Sequence, residues 1–420
     1  MGLQKSFARW LDIVVEKPHI VIIATGGSFW PGGRQYTLNL LQALVLARGN
    51  DYAFDVSVLV SGEGEIIHYE NLRPQLRLCA KVENIQARWS IVNKARWRIK
   101  RNLAGWYNPR LEEALLRMGF TFAYPARSTK LPSAEWIPDF QYKHFPDGSN
   151  PIEIEDRKRD FAAAVRFSER VVLSSACAER DCHELFPQSV GHTSVLRFRV
   201  FTNQAWLACD PTETVRRYHL PSRFVLISNM LAPTKNHAVV IEALASMSAA
   251  ERSRLHFVCT GDVYDYRNPD FHNGFLAKIH ELGVRDCISV LGLIPKQDQV
   301  QLLRAAVAYL QPSLFEGWNT GVEEAHSLGK PILLSDIPVH REQAPPRAIY
   351  FDPRSASNLA TRLAEMIGKD LPTFDPAAER QALKNYALFQ IEFAKRFLEI
   401  ATADHPLAER ILSEPALEQS

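Results

Sequence analysis

The sequence has 420 residues, which is enough for two or three domains with full hydrophobic cores. It is 46% hydrophobic and 23% charged, as in an ordinary globular protein, and its formal net charge of +2 gives no field for binding nucleic acid. The cysteines form no CxxC pair, which predicts reduced thiols and no metal site. These reduced thiols lead us to expect a cytoplasmic protein. No apolar run approaches the roughly 20 residues of a membrane span.

The first half of the chain predicts an irregular α/β pattern. A strand at 19–24 is followed by a glycine-containing loop at 25–33 and by a helix to about residue 47. This loop is neither GxGxxG nor a P-loop, but its glycines can bring backbone close to a ligand at a strand end. Further strands are predicted at 53–60, 76–79, 121–123 and 171–175.

The second half alternates short apolar strands with helical patterns. Strands that are apolar on both faces and separated by helices indicate a parallel sheet covered on both sides. Such a doubly wound sheet binds ligands at the carboxyl ends of its strands. The strands are predicted at 223–228, 255–260, 287–291, 307–310, 331–335 and 348–351, and the helices at 236–248, 269–282, 296–304, 320–328 and 355–367. A polar segment at 210–221 predicts a linker, and a long helical pattern covers 377–403.

The most informative segment is FEGWNTGVEEA, at residues 315–325. It places a Glu-Gly loop after a predicted strand and a Pro-Ser turn, and then an Asn-Thr-Gly helix start with two more acidic residues. Backbone N–H groups at a helix start suit a phosphate. Carboxylates on either side can bind the hydroxyls of a sugar and of a ribose. The segment therefore predicts a nucleotide-sugar site, against the alternative of a helix cap with a solvated glutamate pair.

Further motifs occur in order along residues 19–350. They are AEWIPDFQYKHFP at 134–146, VVLSS at 171–175, SN at 228–229 with KNH at 235–237, TG at 260–261 and SDIPVHREQ at 335–343. Together they resemble the family 4 retaining glycosyltransferases of GT-B fold, in their bacterial polysaccharide, mannosyltransferase-like branch. The resemblance implies an α/β protein with two doubly wound, Rossmann-like domains facing across a cleft. The expected domains are 1–209 on the acceptor side and 210–376 on the nucleotide-sugar side, with a helix in 377–420 that packs back across them.

The resemblance also implies roles for single residues. Lys235 matches the basic residue that holds the donor diphosphate, Glu316 the carboxylate that binds the transferred sugar, and His144 a histidine that faces this sugar. These three are the predicted catalytic residues, although a structural role for His144 stays open. Glu324 matches the ribose-binding residue, and a shift of one position would give this role to Glu323. The other predicted substrate-binding residues are Gly32, Gly33, Asp139, Asn229, Asn319, Thr320 and Gly321.

Asn229 departs from the family pattern, because many members carry an arginine at this position. The helix start at 319–321 then becomes more important for the phosphates. The sequence also contains no Asp-x-Asp motif, which usually holds a metal–nucleotide complex in the other large transferase fold. We therefore expect no cofactor and no essential divalent metal.

The activity implied is transfer of a hexose, with retention, to a glycan or lipid-linked glycan in cell-surface polysaccharide synthesis. A GDP-mannose-like donor is favoured, and UDP- and dTDP-sugars stay open. A nucleotide-sugar epimerase of the same fold and a non-catalytic nucleotide-sugar-binding subunit are the alternatives. The missing GxGxxG disfavours a dinucleotide-dependent oxidoreductase.

Residues 88–106 bear on the acceptor. They carry several basic residues together with Trp89, Trp97 and Trp106, and 88–101 contains no acidic residue. This pattern suits an anionic membrane surface, which would place the protein at the inner face of the membrane, and equally a helix with its tryptophans packed inward.

Overall fold

The computed structural model describes residues 17–27, 30–49, 53–85, 108–146, 150–265, 267–369 and 371–403. They form two compact units. The first comprises Met1–Trp136, Ala163–Val172 and Ile391–Ser420, and the second comprises Ile137–Ala162 and Leu173–Gln390. The basic segment 88–106 lies outside the described residues. Within them, no helix is long and apolar enough to cross a membrane.

The first unit contains a four-stranded parallel sheet. Its strands are β1 (His19–Ile23), β2 (Asp55–Val60), β3 (Leu78–Lys81) and β4 (Phe122–Tyr124), in the order β3-β2-β1-β4. Ile20 of β1 pairs with Val56 on one side and Phe122 on the other. The sheet is flanked by the helices Pro31–Gly49, Val82–Ile85 and Pro109–Arg117 and by the 3₁₀ segment Glu63–Gln75.

Two short strands and two helices are divided between the two units, and a third short strand lies in the second unit. The strands β5 (Ala134–Ile137), β6 (Arg170–Leu173) and β7 (Thr193–Val195) form a three-stranded sheet in this order. The helices are Pro151–Phe167 and the long C-terminal Pro376–Thr402, whose residues up to Gln390 belong to the second unit.

The second unit is built on a six-stranded sheet, parallel throughout. Its strands are β8 (Val225–Ser228), β9 (Phe257–Thr260), β10 (Ile288–Gly292), β11 (Ala308–Gln311), β12 (Ile332–Ser335) and β13 (Ala348–Phe351). Their order is β10-β9-β8-β11-β12-β13. This is the doubly wound order. From β8 the successive strands are added toward β10 on one side, and from β11 they are added toward β13 on the other, so the order of addition reverses between β8 and β11. The predicted doubly wound sheet is therefore confirmed.

Both faces of this sheet are buried. Val225 and Ile227 of β8 lie in one hydrophobic cluster, and the alternating Phe224 and Leu226 lie in another. A strand covered on both faces carries apolar residues at every position, as these sequences do. The unit's helices are Gln141–His144, Ala176–Leu185, Gln204–Leu207, Pro211–Arg217, His237–Ser246, Ala249–Arg252, Phe271–Glu281, Lys296–Ala305, Thr320–Ser327, Pro338–Gln343 and Ala356–Ile367, with 3₁₀ turns at Pro187–Ser189, Pro233–Lys235 and Arg285–Cys287.

The segment 210–221, predicted as a linker, contains the helix Pro211–Arg217. Asp210 caps this helix by accepting a hydrogen bond of 2.9 Å from the backbone N–H of Thr212. Val215 is buried in a hydrophobic cluster of the second unit that also contains residues of the helix Lys296–Ala305. The polar residues that suggested a linker are thus the cap and the solvent side of a packed helix.

The long C-terminal helix is tied to the second unit by a buried ion pair. Arg304 is 2% exposed, and its Nε and Nη2 each donate a hydrogen bond of 2.9 Å to the carboxylate of Glu379. The same guanidinium donates to the backbone carbonyls of Trp206, Leu207 and Cys209. The pair therefore joins three separate segments of this unit.

Candidate active site

The candidate site lies at the carboxyl ends of β8 and β11, where the strand order reverses. The loop after β8 carries Asn229 and Lys235, and the loop after β11 carries Glu316. In an open α/β sheet this crevice is where ligands bind, because the loops on its two sides diverge.

Only one carboxylate oxygen of Glu316 accepts hydrogen bonds from the described residues. Its Oε1 accepts hydrogen bonds from Lys235 Nζ at 2.6 Å, Ser313 Oγ at 2.7 Å and Gln311 Nε2 at 3.1 Å. Its Oε2 accepts none from the residues that the structure describes. The side chain is 10% exposed. Glu316 is therefore held through one oxygen, and the other accepts no hydrogen bond from a described residue.

The position of Lys235 is set by its neighbour Asn236. Asn236 adopts left-handed backbone angles, with φ 56° and ψ 38°, which asparagine tolerates better than most residues. Its Nδ2 donates to the carbonyls of Pro312, at 3.1 Å, and Pro353, at 2.8 Å. A further bond of 2.9 Å joins the backbone N–H of Leu314 to the carbonyl of Thr234. These bonds tie the lysine loop to the glutamate loop.

Asp139 lies directly against the Glu316 loop. A Cβ added to Gly317 would come within 2.6 Å of the Pro138 carbonyl and 2.7 Å of Asp139 Cβ, so only glycine allows this approach. Asp139 Oδ1 accepts a hydrogen bond of 2.9 Å from the backbone N–H of Gln141. Burial raises the pKa of the Asp139 carboxyl, and that hydrogen bond opposes the rise.

His144 is beside the same loop, on the ring of Phe315, with ring centroids 4.9 Å apart. Its Nε2 lies 2.7 Å from Asp181 Oδ2, and the other oxygen of Asp181 accepts a hydrogen bond of 2.6 Å from Lys143. The His144 side chain is 39% exposed. The carboxylate orients the imidazole, and the ring stays accessible.

The adjacent residues Glu323 and Glu324 have very different surroundings. Glu323 is 1% exposed and accepts hydrogen bonds from Arg199 at 2.9 and 3.0 Å, from Gln343 at 3.0 Å and from the Tyr386 hydroxyl. It is fully engaged inside the unit.

Glu324 lies at the site, 5% exposed. Its carboxylate accepts hydrogen bonds from Lys296 and, at 3.1 Å, from Gln299. Both partners belong to the first turn of the helix Lys296–Ala305, which follows β10. Lys296 is 37% exposed, whereas the Glu324 side chain is 7% exposed.

The helix Thr320–Ser327 begins at the site. Asn319 caps it, with Oδ1 accepting from the backbone N–H of Val322 at 2.9 Å, and is itself buried. The backbone N–H groups of Thr320 and Gly321 donate to no described residue. A Cβ at position 321 would stand 2.1 Å from the Tyr309 hydroxyl, so this close packing requires glycine. The two N–H groups at the start of this helix are available to an anion.

Asn229, at the end of β8, is held by the strand beside it. Its Nδ2 donates to Gln311 Oε1 at 3.0 Å. A Cβ at Gly261 would lie 2.2 Å from the Asn229 carbonyl, and Gly261 has a φ of +126°. Asn229 therefore joins the hydrogen-bonded group around Glu316 without adding a positive charge.

Gly32 and Gly33 belong to the first unit, at the start of the helix Pro31–Gly49. They lie beneath the indole of Trp30, since a Cβ on Gly33 would approach the ring to 2.5 Å. Their predicted place beneath a diphosphate stays a prediction.

Several residues around the site escaped the sequence analysis. Gln311 and Ser313 hold Glu316, and a polar residue ending an apolar strand could have signalled Gln311. No role was predicted for Lys296, or for Asp181 in the helix after the VVLSS motif, because each meets its partner only through the fold. His340 is fully buried, with Nδ1 2.9 Å from the Ser335 carbonyl and with Nε2 unpaired among the described residues. Burial lowers its pKa to about 4, so it is neutral.

The site brings a positively charged lysine close to negatively charged carboxylates. One lysine and a helix start can face a phosphate, and carboxylates at Glu316 and Glu324 can accept hydrogen bonds from hydroxyls. Among the described residues, no group of three or more His, Cys, Asp or Glu side chains is arranged to hold a metal ion.

Known proteins share parts of this chain. The family model described as glycosyl transferases group 1 matches residues 216–388. O-antigen chain mannosyltransferase B of Escherichia coli is 24% identical over 148 residues, which are 35% of this chain and 37% of that protein. The match therefore spans little more than a third of that relative.

Solved structures share the fold over nearly the whole chain. HepE of Anabaena, in complex with UDP and glucose, is 15% identical with a TM-score of 0.59, covering 94% of this chain and 99% of its own. WaaG, a glycosyltransferase involved in lipopolysaccharide biosynthesis, is 13% identical with a TM-score of 0.55, covering 93% of this chain and 99% of its own. The chain therefore has the GT-B fold, and its residues 216–388 are similar to the glycosyl transferases group 1 family.

Proposed function

We propose that this protein transfers a hexose, with retention of anomeric configuration, from a nucleoside-diphosphate sugar to a glycan or lipid-linked glycan. The observation that carries the proposal is Glu316, which is held through one oxygen by Lys235, Ser313 and Gln311 and keeps the other free. A half-satisfied carboxylate beside an ammonium group suits a ligand that has both hydroxyls and phosphates.

Lys235 and the helix start would act on the leaving group. Cleavage of the anomeric C–O bond builds negative charge on the diphosphate, and fixed donors stabilise that charge in the transition state. In this scheme the donor phosphate replaces Glu316 as the partner of the Lys235 ammonium group. A sugar hydroxyl then donates to Glu316 in place of Lys235. His144 and Asp139, beside the same loop, would face the transferred sugar.

Glu324 would accept the ribose hydroxyls, and Glu323 would be structural. Glu323 is engaged by Arg199, Gln343 and Tyr386 inside the unit, whereas Glu324 is held at the edge of the site. This contrast supports the assignment.

The two glutamates can be separated by matched substitutions. We expect Glu324→Gln to weaken nucleoside diphosphate binding by about tenfold, because each ribose hydroxyl loses a charged acceptor. Glu323→Gln should leave this affinity unchanged but destabilise the fold by about 3 kcal/mol, because Arg199 loses its buried partner. Calorimetric titration and thermal unfolding of both variants measure the two effects. If Glu323 were the ribose-binding residue instead, Glu323→Gln would bind nucleoside diphosphate weakly and Glu324→Gln would bind it with wild-type affinity.

The donor is proposed from the chemistry of relatives. The solved HepE structures contain UDP, UDP with glucose, and UDP-glucose, whereas the curated relative is named as a mannosyltransferase. We keep GDP-mannose-like donors as the favoured class, with UDP- and dTDP-sugars as alternatives, in cell-surface polysaccharide synthesis. A cytoplasmic location, with or without contact to the inner face of the membrane, remains part of this proposal.

Release of free nucleoside diphosphate tests the activity. A transferase releases it from GDP-mannose, UDP-glucose or a dTDP-sugar only when an acceptor is added, an epimerase interconverts the sugar without release, and a binding subunit does neither. The reaction should keep most of its rate in excess EDTA. A strict need for Mg²⁺ or Mn²⁺ would overturn the metal-independent part of the proposal.

Lys235→Ala tests the role of the ammonium group. We expect kcat/KM to fall about 100-fold, or roughly 3 kcal/mol, as for the loss of one fixed donor to a developing anion. Asn229 carries no charge that could substitute for it. Lys278→Ala, which removes a lysine paired with Glu242 elsewhere in the unit, is the control and should behave as the wild type. A fall of less than threefold for Lys235→Ala would show that the lysine serves only the loop.

A further inference from the structure

The proposed diphosphate site carries little positive charge. Asn229, at the end of β8, is bound to Gln311 and adds none. Lys235 supplies one ammonium group, and the helix start at Thr320 adds only partial charge. Each phosphate of a nucleoside-diphosphate sugar carries a negative charge, and phosphates bind best to charged donors. A second cation at the same edge of the sheet would balance the charge of the donor.

Lys296 is a cation at that edge. It is the first residue of the helix Lys296–Ala305, directly after the loop that leaves β10. A positive charge is unfavourable in the first turn of a helix, because the N-terminal end of the helix dipole is itself positive. Asp298, the acidic residue of the same turn, is bound by Arg217 at 2.5 Å and by the Tyr218 hydroxyl at 2.8 Å. The position of this lysine is therefore not explained by the stability of its own helix.

The Lys296 side chain extends to the helix Thr320–Ser327. Its Nζ donates to the carboxylate of Glu324 and, at 2.7 Å, to Gln299 Oε1. Glu324 follows Thr320 by four residues, so the two share one face of their helix, with Cβ atoms about 5–6 Å apart. The backbone N–H of Thr320 is one of the proposed phosphate donors. The ammonium group therefore stands about one helical turn from the expected phosphate.

We propose that Lys296 binds the diphosphate of the donor and supplies a positive charge that Asn229 lacks. The assignment rests on the proposed glycosyl transfer and deepens it, because it adds a substrate-binding residue to the same site. It also implies that a nucleoside diphosphate and a nucleoside depend differently on this lysine, since only the former carries phosphates.

Under the proposed ribose role of Glu324, its pair with Lys296 opens when the nucleotide binds. The Glu324 side chain is 7% exposed, whereas that of Lys296 is 37% exposed. A ribose hydroxyl therefore reaches the carboxylate only after the ammonium group has moved, and the flexible stem of a lysine allows this movement. The ribose then replaces Lys296 as the partner of Glu324. A phosphate replaces Glu324 as the partner of Lys296, so neither charge stays buried without a partner.

Titration of the full-length protein with nucleoside diphosphates and with nucleosides tests this role. Calorimetry measures binding of GDP, UDP and dTDP, and ligand-detected NMR measures binding of the corresponding nucleosides. We expect Lys296→Met to weaken the nucleoside diphosphate that binds the wild type by about tenfold or more, as for the loss of one hydrogen bond between charged groups. Affinity for its nucleoside should stay the same or rise, because no ammonium group then competes with the ribose for Glu324. Thermal unfolding checks that the variant is folded at the temperature of the titration.

Three further variants separate a phosphate contact from an indirect effect. Gln299→Ala removes an uncharged partner of the same carboxylate and should change the affinities for nucleoside diphosphate and nucleoside by the same factor. In the Glu324→Gln protein, Lys296→Met should still weaken nucleoside diphosphate by about tenfold, because the lysine acts on the phosphates directly. Lys278→Ala removes a lysine paired with Glu242 and should bind both ligands as the wild type does.

The outcomes separate this assignment from the proposed function. Equal losses of nucleoside diphosphate and nucleoside affinity in Lys296→Met would show that the lysine only holds Glu324, and would overturn the assignment. So would an unchanged nucleoside diphosphate affinity, or a loss that disappears in the Glu324→Gln protein. Failure of GDP, UDP and dTDP to bind the wild type would refute the proposed function as well. The expected losses without any sugar transfer would refute the transfer alone and leave the phosphate contact in place.

Discussion

Replacing Glu316 with alanine is expected to abolish sugar transfer, with a fall in kcat on the order of 10³-fold, while nucleoside diphosphate still binds. The carboxylate is held by Ser313 and Gln311 with its Oε2 accepting no hydrogen bond from a described residue, so its loss should remove the proposed contact to the sugar and leave the proposed phosphate donors in place. Glu316→Gln should be almost as inactive, because the amide keeps the size of the side chain but not its charge. Rates measured with saturating donor and acceptor check this result.

The controls for Glu316 must exclude general damage to the site. Glu365→Ala removes an exposed carboxylate of the same unit and should retain full activity. Calorimetric titration with the nucleoside diphosphate should give affinities within a few-fold of wild type for both variants. Turnover near the wild-type rate in Glu316→Ala would remove this residue from the reaction. Loss of nucleotide affinity would instead assign Glu316 to the phosphates.

Arg304→Ala is expected to destabilise the second unit by about 3–5 kcal/mol, because it leaves the Glu379 carboxylate buried without its partner. The change also leaves backbone carbonyls of Trp206, Leu207 and Cys209 without their donor. A loss of this size should lower the melting temperature of this unit by roughly 10 °C. Differential scanning calorimetry resolves it.

An exposed ion pair provides the matched control for Arg304. Arg362 and Glu365 are about 38% and 46% exposed, and Arg362→Ala should change stability by no more than about 1 kcal/mol. Arg304→Lys should be intermediate, since an ammonium group keeps the charge but loses the bidentate geometry. Equal melting temperatures for Arg304→Ala and Arg362→Ala would show that the buried pair does not hold the C-terminal helix.

Local sequence determined the architecture of the second unit and the location of its candidate site. Strands such as β8 carry apolar residues at every position, which occurs where a sheet is covered on both faces. The Glu-Gly loop and the Asn-Thr-Gly helix start follow such a strand, so their place at its carboxyl end could be read from order alone. The helix Pro211–Arg217 was mistaken for a linker because a cap residue and a proline, taken singly, are also typical of loops.

Only the tertiary structure decided which partners each site residue has. Glu323 and Glu324 are neighbours in sequence, yet Arg199, 124 residues away, engages the first and the start of the helix Lys296–Ala305 engages the second. Likewise His144 meets Asp181, and Asp139 meets Gly317, across long stretches of chain. Periodicity reports how buried a residue is and in which element it lies. Contacts between distant segments depend on how those elements pack, which no local pattern encodes.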